Sequence, residues 1–119
     1  MGEAQTYSGG CHCGEVRYEV KADLGNVIAC NCSICTKRGL LLTFTPISEF
    51  TLLSGQERMT DYQFNKKMIH HLLCPTCGIE SFARGTAPDG KKMVAINVRC
   101  LEDVDVKSLS PVPFNGRDM

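Results

Sequence analysis

Seven cysteines fall into three tight clusters, and their spacing constrains this chain more than any other feature. Cys11 and Cys13 sit in CHC, Cys30, Cys32 and Cys35 in CNCSIC, and Cys74 and Cys77 in CPTC, while an eighth, Cys100, stands apart. The opening MGEAQTYSGG is polar and acidic where a secretory leader would be basic and then apolar. The expected location is therefore the cytoplasm, where thiols stay reduced. An even count of eight permits disulfides, but clusters this tight suit a metal ion better than bridges.

Zinc held by cysteine prefers four ligands in a tetrahedron. CPTCG has knuckle spacing: two intervening residues let the chain turn so that both sulfurs meet one ion, and Gly78 leaves room for that turn. An extended CHC would point Cys11 and Cys13 the same way and His12 the other, leaving His12 as a filler between ligands. Neither pair is a complete site, whereas Cys11, Cys13, Cys74 and Cys77 together make a closed set of four thiolates. Closed sets are structural, and catalytic zinc keeps three protein ligands and one exchangeable position. Cys30, Cys32 and Cys35 are what remains, so simple subtraction suggests one closed and one open site. The alternative is that Cys100, His70 or His71 closes the second site as well. Cys100 reads as core, on the apolar side of a strand pattern. His70 and His71 lie on opposite faces of KMIHHLL, so one is expected in a cleft and the other in solvent.

Around these clusters the apolar pattern has mostly period two, which predicts a mainly β fold of short antiparallel strands. In EVRYEV, Val16, Tyr18 and Val20 alternate with charged residues; LLLTFT runs to Pro46; FTLL ends at Ser54-Gly55. MTDYQF and KMIHHLL follow, separated at Asn65-Lys66, and PDG at 88–90 turns the chain into KKMVAINVRCL, with Val94, Ile96, Val98 and Cys100 on one face. Single helical turns are expected at SICTKR (33–38) and PISEF (46–50). The 119 residues fit one domain, 1–119, and 43% hydrophobic with 22% charged residues is ordinary globular composition. A net charge of zero and the lack of tryptophan argue against a nucleic-acid surface, and no apolar run is long enough to span a membrane.

GGCHCGEVRYE (9–19), CNCSICTKRG (30–39), HHLLCPTCG (70–78), INVRCL (96–101) and PFNGRD (113–118) occur in order along the chain. On these pieces the sequence resembles the glutathione-dependent formaldehyde-activating enzymes and their relatives, the group that includes the CENP-V proteins. The resemblance implies antiparallel sheets pinned by zinc, in the β-tent arrangement of the small Rab-exchange-factor zinc proteins. It implies two zinc ions per chain, a structural one on Cys11, Cys13, Cys74 and Cys77 and a catalytic one on Cys30, Cys32 and Cys35, the latter with its fourth position left for substrate or water. With three protein ligands, that second ion is expected to be the more easily lost. It also implies a carbon–sulfur lyase of the S-(hydroxymethyl)glutathione synthase kind, whose partners are the thiol glutathione and a small aldehyde. Three thiolates make zinc a mediocre Lewis acid for hydroxide but leave it suited to a fourth sulfur. Lys37, Arg38, Arg84 and Arg99 are the cations that could meet the carboxylates of glutathione. The competing reading is a non-catalytic zinc module for a protein partner, with both sites structural.

Overall fold

The computed structural model describes residues 4–56, 58–63, 69–87 and 89–115. In chain order the strands are β1 (Gln5–Gly10), β2 (Arg17–Ala22), β3 (Ile28–Cys30), β4 (Leu42–Pro46), β5 (Phe50–Ser54), β6 (Thr60–Tyr62), β7 (Ile69–Leu73), β8 (Glu80–Thr86), β9 (Lys92–Asn97) and β10 (Val112–Phe114). One short helix, α1 (Ser33–Arg38), follows β3. The expected mainly β class is what the chain adopts. The described strands form a sheet of order β1-β2-β5 and a longer one of order β10-β3-β4-β9-β8-β7-β6.

The alternation in EVRYEV does what such a pattern should. Val16, Tyr18, Val20 and Ala22 are buried, while Glu19 and Lys21 face solvent. Their apolar side meets Leu72, Phe82, Val94 and Ile96 from the longer sheet. The Tyr18 ring lies 5.1 Å from Phe50 and 5.7 Å from Phe82, centroid to centroid, and its hydroxyl donates to the Ser81 carbonyl at 3.1 Å. That bond lets a phenol sit in a core without an unmet polar atom. Burial pushes the Tyr18 phenol well above its usual range. A second apolar group, Ile34, Cys35, Leu40, Leu42, Ala83 and Ala95, packs beneath α1.

The LLLTFT strand reaches Pro46 as expected, SICTKR forms α1, and Ile47–Glu49 makes a 3₁₀ turn. The strands expected in MTDYQF and KMIHHLL appear as β6 and β7, and the Asn65-Lys66 break lies outside the described residues. Three readings need correction. CHC is not extended: β1 stops at Gly10 and residues 12–13 form a turn. The strand in KKMVAINVRCL ends at Asn97, whose side chain accepts from the Arg99 amide and starts a 3₁₀ turn over Val98–Cys100. Val98 is still buried, but Cys100 is only half-buried and is not core. Finally, not every pair is antiparallel: β10 runs parallel to β3.

The turn at CHC depends on a close backbone approach. The Cys11 amide donates to the Val16 carbonyl at 3.1 Å, and a Cβ on Gly10 would lie 2.1 Å from that same oxygen. Only glycine permits such an approach without a backbone shift. Gly10→Ala is expected to lower stability by about 1–3 kcal/mol, the usual cost of overfilling a packed site. Urea unfolding of the two proteins measures it, and a change under about 0.5 kcal/mol, ordinary for an innocuous surface site, would refute it.

Candidate metal centres and the adjoining cleft

Cys11 and Cys13 leave the end of β1, and Cys74 and Cys77 leave the end of β7. Their four sulfurs all lie within 4.8 Å of one another. Sulfur–sulfur distances of 3.6 Å separate Cys11 from Cys13 and Cys13 from Cys74. A disulfide would require about 2.05 Å. A tetrahedron of about 2.3 Å zinc–sulfur bonds spaces its sulfurs by about 3.8 Å, so the arrangement has the dimensions of a four-thiolate site. The knuckle turn is formed as its sequence suggests: the Gly78 amide donates to the Cys74 carbonyl at 2.9 Å, with Gly78 at φ +78°. Glu15 stands beside the group, its Oε2 accepting from Thr76 Oγ1 at 2.9 Å and lying 3.5 Å from Cys74 Sγ, with Arg58 on its other oxygen at 2.8 Å.

The second sulfur group is local in sequence. Cys30 ends β3, Cys32 precedes α1 and Cys35 lies within it, and these three sulfurs also fall within 4.8 Å of one another. The Cys32 amide points at Cys30 Sγ from 3.4 Å. Among the described residues, no histidine or carboxylate lies within 4.8 Å of every sulfur in either group. Cys100 Sγ instead lies 4.0 Å from the Glu80 carbonyl.

Proton sharing within these groups fits a cation. Burial pushes the Cys77 thiol up, but the Cys13 and Ile79 amides and the neighbouring sulfurs outweigh it and bring it down to about 6. Cys13 goes the other way: the Glu15 amide favours its thiolate, yet desolvation and the three adjacent sulfurs push it up to about 12. In the second group burial and the charge on Cys32 raise Cys35, while Cys32, despite burial, is lowered by the amides of Cys35 and Ile34 and by its sulfur neighbours. Packed thiols cannot all ionise together unless a positive ion offsets their repulsion. Both groups can hold metal ions, and their all-sulfur donor sets are compatible with zinc.

The two histidines differ as their alternation suggested. His70 is partly exposed and its Nδ1 lies 2.7 Å from Asp61 Oδ2; His71 is buried with Nδ1 3.0 Å from Glu80 Oε2. Glu80 escaped the sequence reading. Its buried carboxylate also pairs with Arg38 at the end of α1. Its position three residues beyond Cys77 was the only available signal. The candidate cations separate clearly. Arg99 Nε donates to the Gly39 carbonyl at 3.0 Å, closing the end of α1, and Arg84 is an exposed residue of β8. Lys37 and Arg38 line an open cleft of about 360 Å³ with Ser33, Ile34 and Tyr62. His12 is exposed, as a filler would be.

These features define a small mainly β protein carrying two cysteine groups suited to metal. Residues 6–113 match the family described as glutathione-dependent formaldehyde-activating enzyme, and the chain belongs to that family. It is also similar to a crystal structure of a Rhodobacter sphaeroides protein, with 32% identity and a TM-score of 0.79, over 89% of this chain and 97% of the other. No helix among the described residues is long and apolar enough to cross a membrane.

Burial, together with the negative charge of Cys11, Cys77 and Glu80, pushes the Cys100 thiol up to about 11. Because the shift is upward, thiolate is scarce below that pH. At pH 8 alkylation of Cys100 by iodoacetamide should run about tenfold or more slower than that of an ordinary thiol near pKa 8.5, because burial, the largest cause of the shift, persists when zinc offsets the charge of Cys11 and Cys77. Peptide mapping of the zinc-loaded protein measures it; labelling at the rate of free cysteine would refute it.

Proposed function

We propose that the protein is a zinc-dependent carbon–sulfur lyase that joins glutathione to formaldehyde, or a related thiol to a small carbonyl, giving an S-hydroxymethyl adduct. The observation that carries this reading is the gathering of Cys30, Cys32 and Cys35 into a three-sulfur group, with Ser33 and Ile34 between two of them and Lys37 and Arg38 just after lining an open cleft. Residues 1–119 act as a single zinc domain, with Cys11, Cys13, Cys74 and Cys77 as the structural site and Cys30, Cys32 and Cys35 as the reactive one. Each site takes one zinc ion, the second less firmly held. Unbridged thiols and an all-cysteine donor set suit the reducing cytoplasm. The family description supports the substrates named here.

Zinc on Cys30, Cys32 and Cys35 would supply an open position and favour the thiolate form of an arriving thiol at neutral pH. The chain's own contribution is to hold the three sulfurs on a rigid corner. The 3.0 Å bond from the Thr36 amide to the Cys32 carbonyl and the 3.1 Å bond from the Leu40 amide to the Cys35 carbonyl fix that corner. Positive charge from Lys37 and Arg38 sits next to it. The reaction balances simply. The thiol gives up its proton, sulfur forms the new bond to carbon, the carbonyl π pair moves to oxygen, and that oxygen takes a proton. Proximity and one positioned proton donor suffice, because the addition is already facile. Cys100 and the paired His70 and His71 stand apart from the sulfur group, which favours an exchangeable fourth position over a second closed site.

Two single substitutions separate the sites. Cys77→Ser is expected to yield unfolded or aggregated protein, because a structural zinc site contributes folding free energy directly. Cys32→Ser is expected to keep its fold while losing about one zinc per chain by elemental analysis. The opposite ranking in thermal melts would refute the assignment. For the activity, the zinc-loaded protein is mixed with glutathione and formaldehyde and exchange NMR follows adduct formation. The expected result is exchange faster than in buffer; equality with buffer would refute the lyase reading while leaving the fold intact.

A further inference from the structure

We propose that the cleft beside α1 is a carboxylate subsite, in which Lys37 and Arg38 receive a carboxylate of the thiol substrate and Glu80 is the positioning residue that holds Arg38 ready for it. This rests on the reading of Cys30, Cys32 and Cys35 as the reacting centre. The helix itself sets the arrangement. At about 100° per residue, Ser33, Ile34, Lys37 and Arg38 cover one stretch of the surface of α1, and Cys35 lies just beyond it. A thiol whose sulfur reaches the cysteines therefore lays the rest of its length along the cleft. The cleft is lined by Ser33, Ile34, Lys37, Arg38 and Tyr62, two cations with no carboxylate among the five. The nearest acidic side chain in sequence, Asp61, is engaged with His70 at 2.7 Å.

Arg38 is held rather than free. Nη1 pairs with Glu80, and the guanidinium carbon lies 5.7 Å from the centroid of the Tyr62 ring. Glu80 is in turn fixed: it is 2% exposed, its other oxygen is 3.0 Å from His71 Nδ1, and its carbonyl accepts from Asn97 Nδ2 at 3.0 Å. A buried carboxylate behind a half-buried guanidinium orients the fork and leaves further N–H groups for a second acceptor. Such a fork recognises a planar carboxylate with two parallel bonds, and the neighbouring exposed Lys37 adds a point charge. A neutral thiol can reach the cysteines but gains nothing from this pair. The ion pair thus serves selectivity for anionic thiols, a role distinct from the bond-making step.

The test compares KM values of the zinc-loaded protein for glutathione, its glycyl monoethyl ester and neutral N-acetylcysteamine, each with formaldehyde. Wild type is expected to prefer glutathione over the neutral thiol by about ten- to a hundredfold in KM, the worth of a charge-assisted contact. Arg38→Lys, which keeps a cation opposite Glu80, and the surface change Lys37→Ala should each cut that preference several-fold. Glu80→Gln should do the same through misplacement of Arg38, with a larger change in KM than in kcat. Loss of preference for the ester assigns the glycyl carboxylate; retention assigns the γ-glutamyl end. Equal KM for glutathione and N-acetylcysteamine in wild type would overturn the subsite and leave the lyase reading standing. So would variants whose KM values for both thiols rise in parallel. Absence of acceleration with every thiol would instead overturn the lyase reading, and the subsite with it.

Discussion

The structure depends first on drawing four sulfurs from two distant segments into a space one ion wide. Cys13 and Cys74 are 61 residues apart in sequence and their sulfurs are 3.6 Å apart. The first pair follows the last strand residue of β1 and the second follows β7, so the sulfur group joins the three-stranded sheet to the longer one. Both sheets also meet through Tyr18, whose ring packs on Phe82 and whose hydroxyl donates to Ser81. Apolar packing and sulfur clustering therefore act on the same seam. Packing alone tolerates small shifts between sheets. Thiolates around a metal do not, because the ligand distances are short and directional.

The second sulfur group is supported differently. β10 pairs in parallel with β3, and the Asn31 amide donates to the Phe114 carbonyl at 3.0 Å, while Asn31 Nδ2 donates to Asn115 Oδ1 at 2.9 Å. The C-terminal segment thus braces the strand that delivers Cys30 and the turn before Cys32. From the other side, Arg38, three residues after Cys35, pairs with Glu80, three residues after Cys77. An ion pair between a half-buried guanidinium and a buried carboxylate consequently ties the two cysteine-bearing corners together. A buried carboxylate is costly unless its partners stay in place, so removal of either partner acts on both corners.

Much of this was legible in the sequence, for identifiable reasons. The alternation of Val16, Tyr18 and Val20 and the β-rich run into Pro46 are local signals, and the strands follow them. The cysteine clusters were legible because a metal imposes short, discrete spacings. Other features carried no local mark. CHC spacing brings sulfurs together in a turn as well as in a strand, and the decisive evidence for the turn is steric, the approach of Gly10 to the Val16 carbonyl. Apolar alternation runs through Val98 and Cys100, but the Asn97 side chain caps a 3₁₀ turn there and ends the strand. The pairing of β10 with β3 joins ends far apart in sequence, and Val112 and Phe114 remain exposed, so no buried pattern announces it. Glu80 and Arg38 are 42 residues apart, and either alone reads as an ordinary surface charge.

The same separation in sequence argues for the division of labour between the two sulfur groups. A link between residues 11–13 and 74–77 closes a long loop and removes much of the freedom of the unfolded chain, and the penalty for long closure grows only slowly with length. A link among residues 30, 32 and 35 closes almost nothing, since those residues are neighbours in every state of the chain. On the proposed assignment, metal at the first group stabilises the native state strongly, and metal at the second adds little to folding. A site that contributes little to stability is free to have an incomplete ligand set and to exchange a ligand with solvent or substrate. The long-range group has no such freedom, because loosening it would loosen the seam between the sheets. Four sulfurs at the long-range site and three at the local one is the distribution that chain connectivity favours.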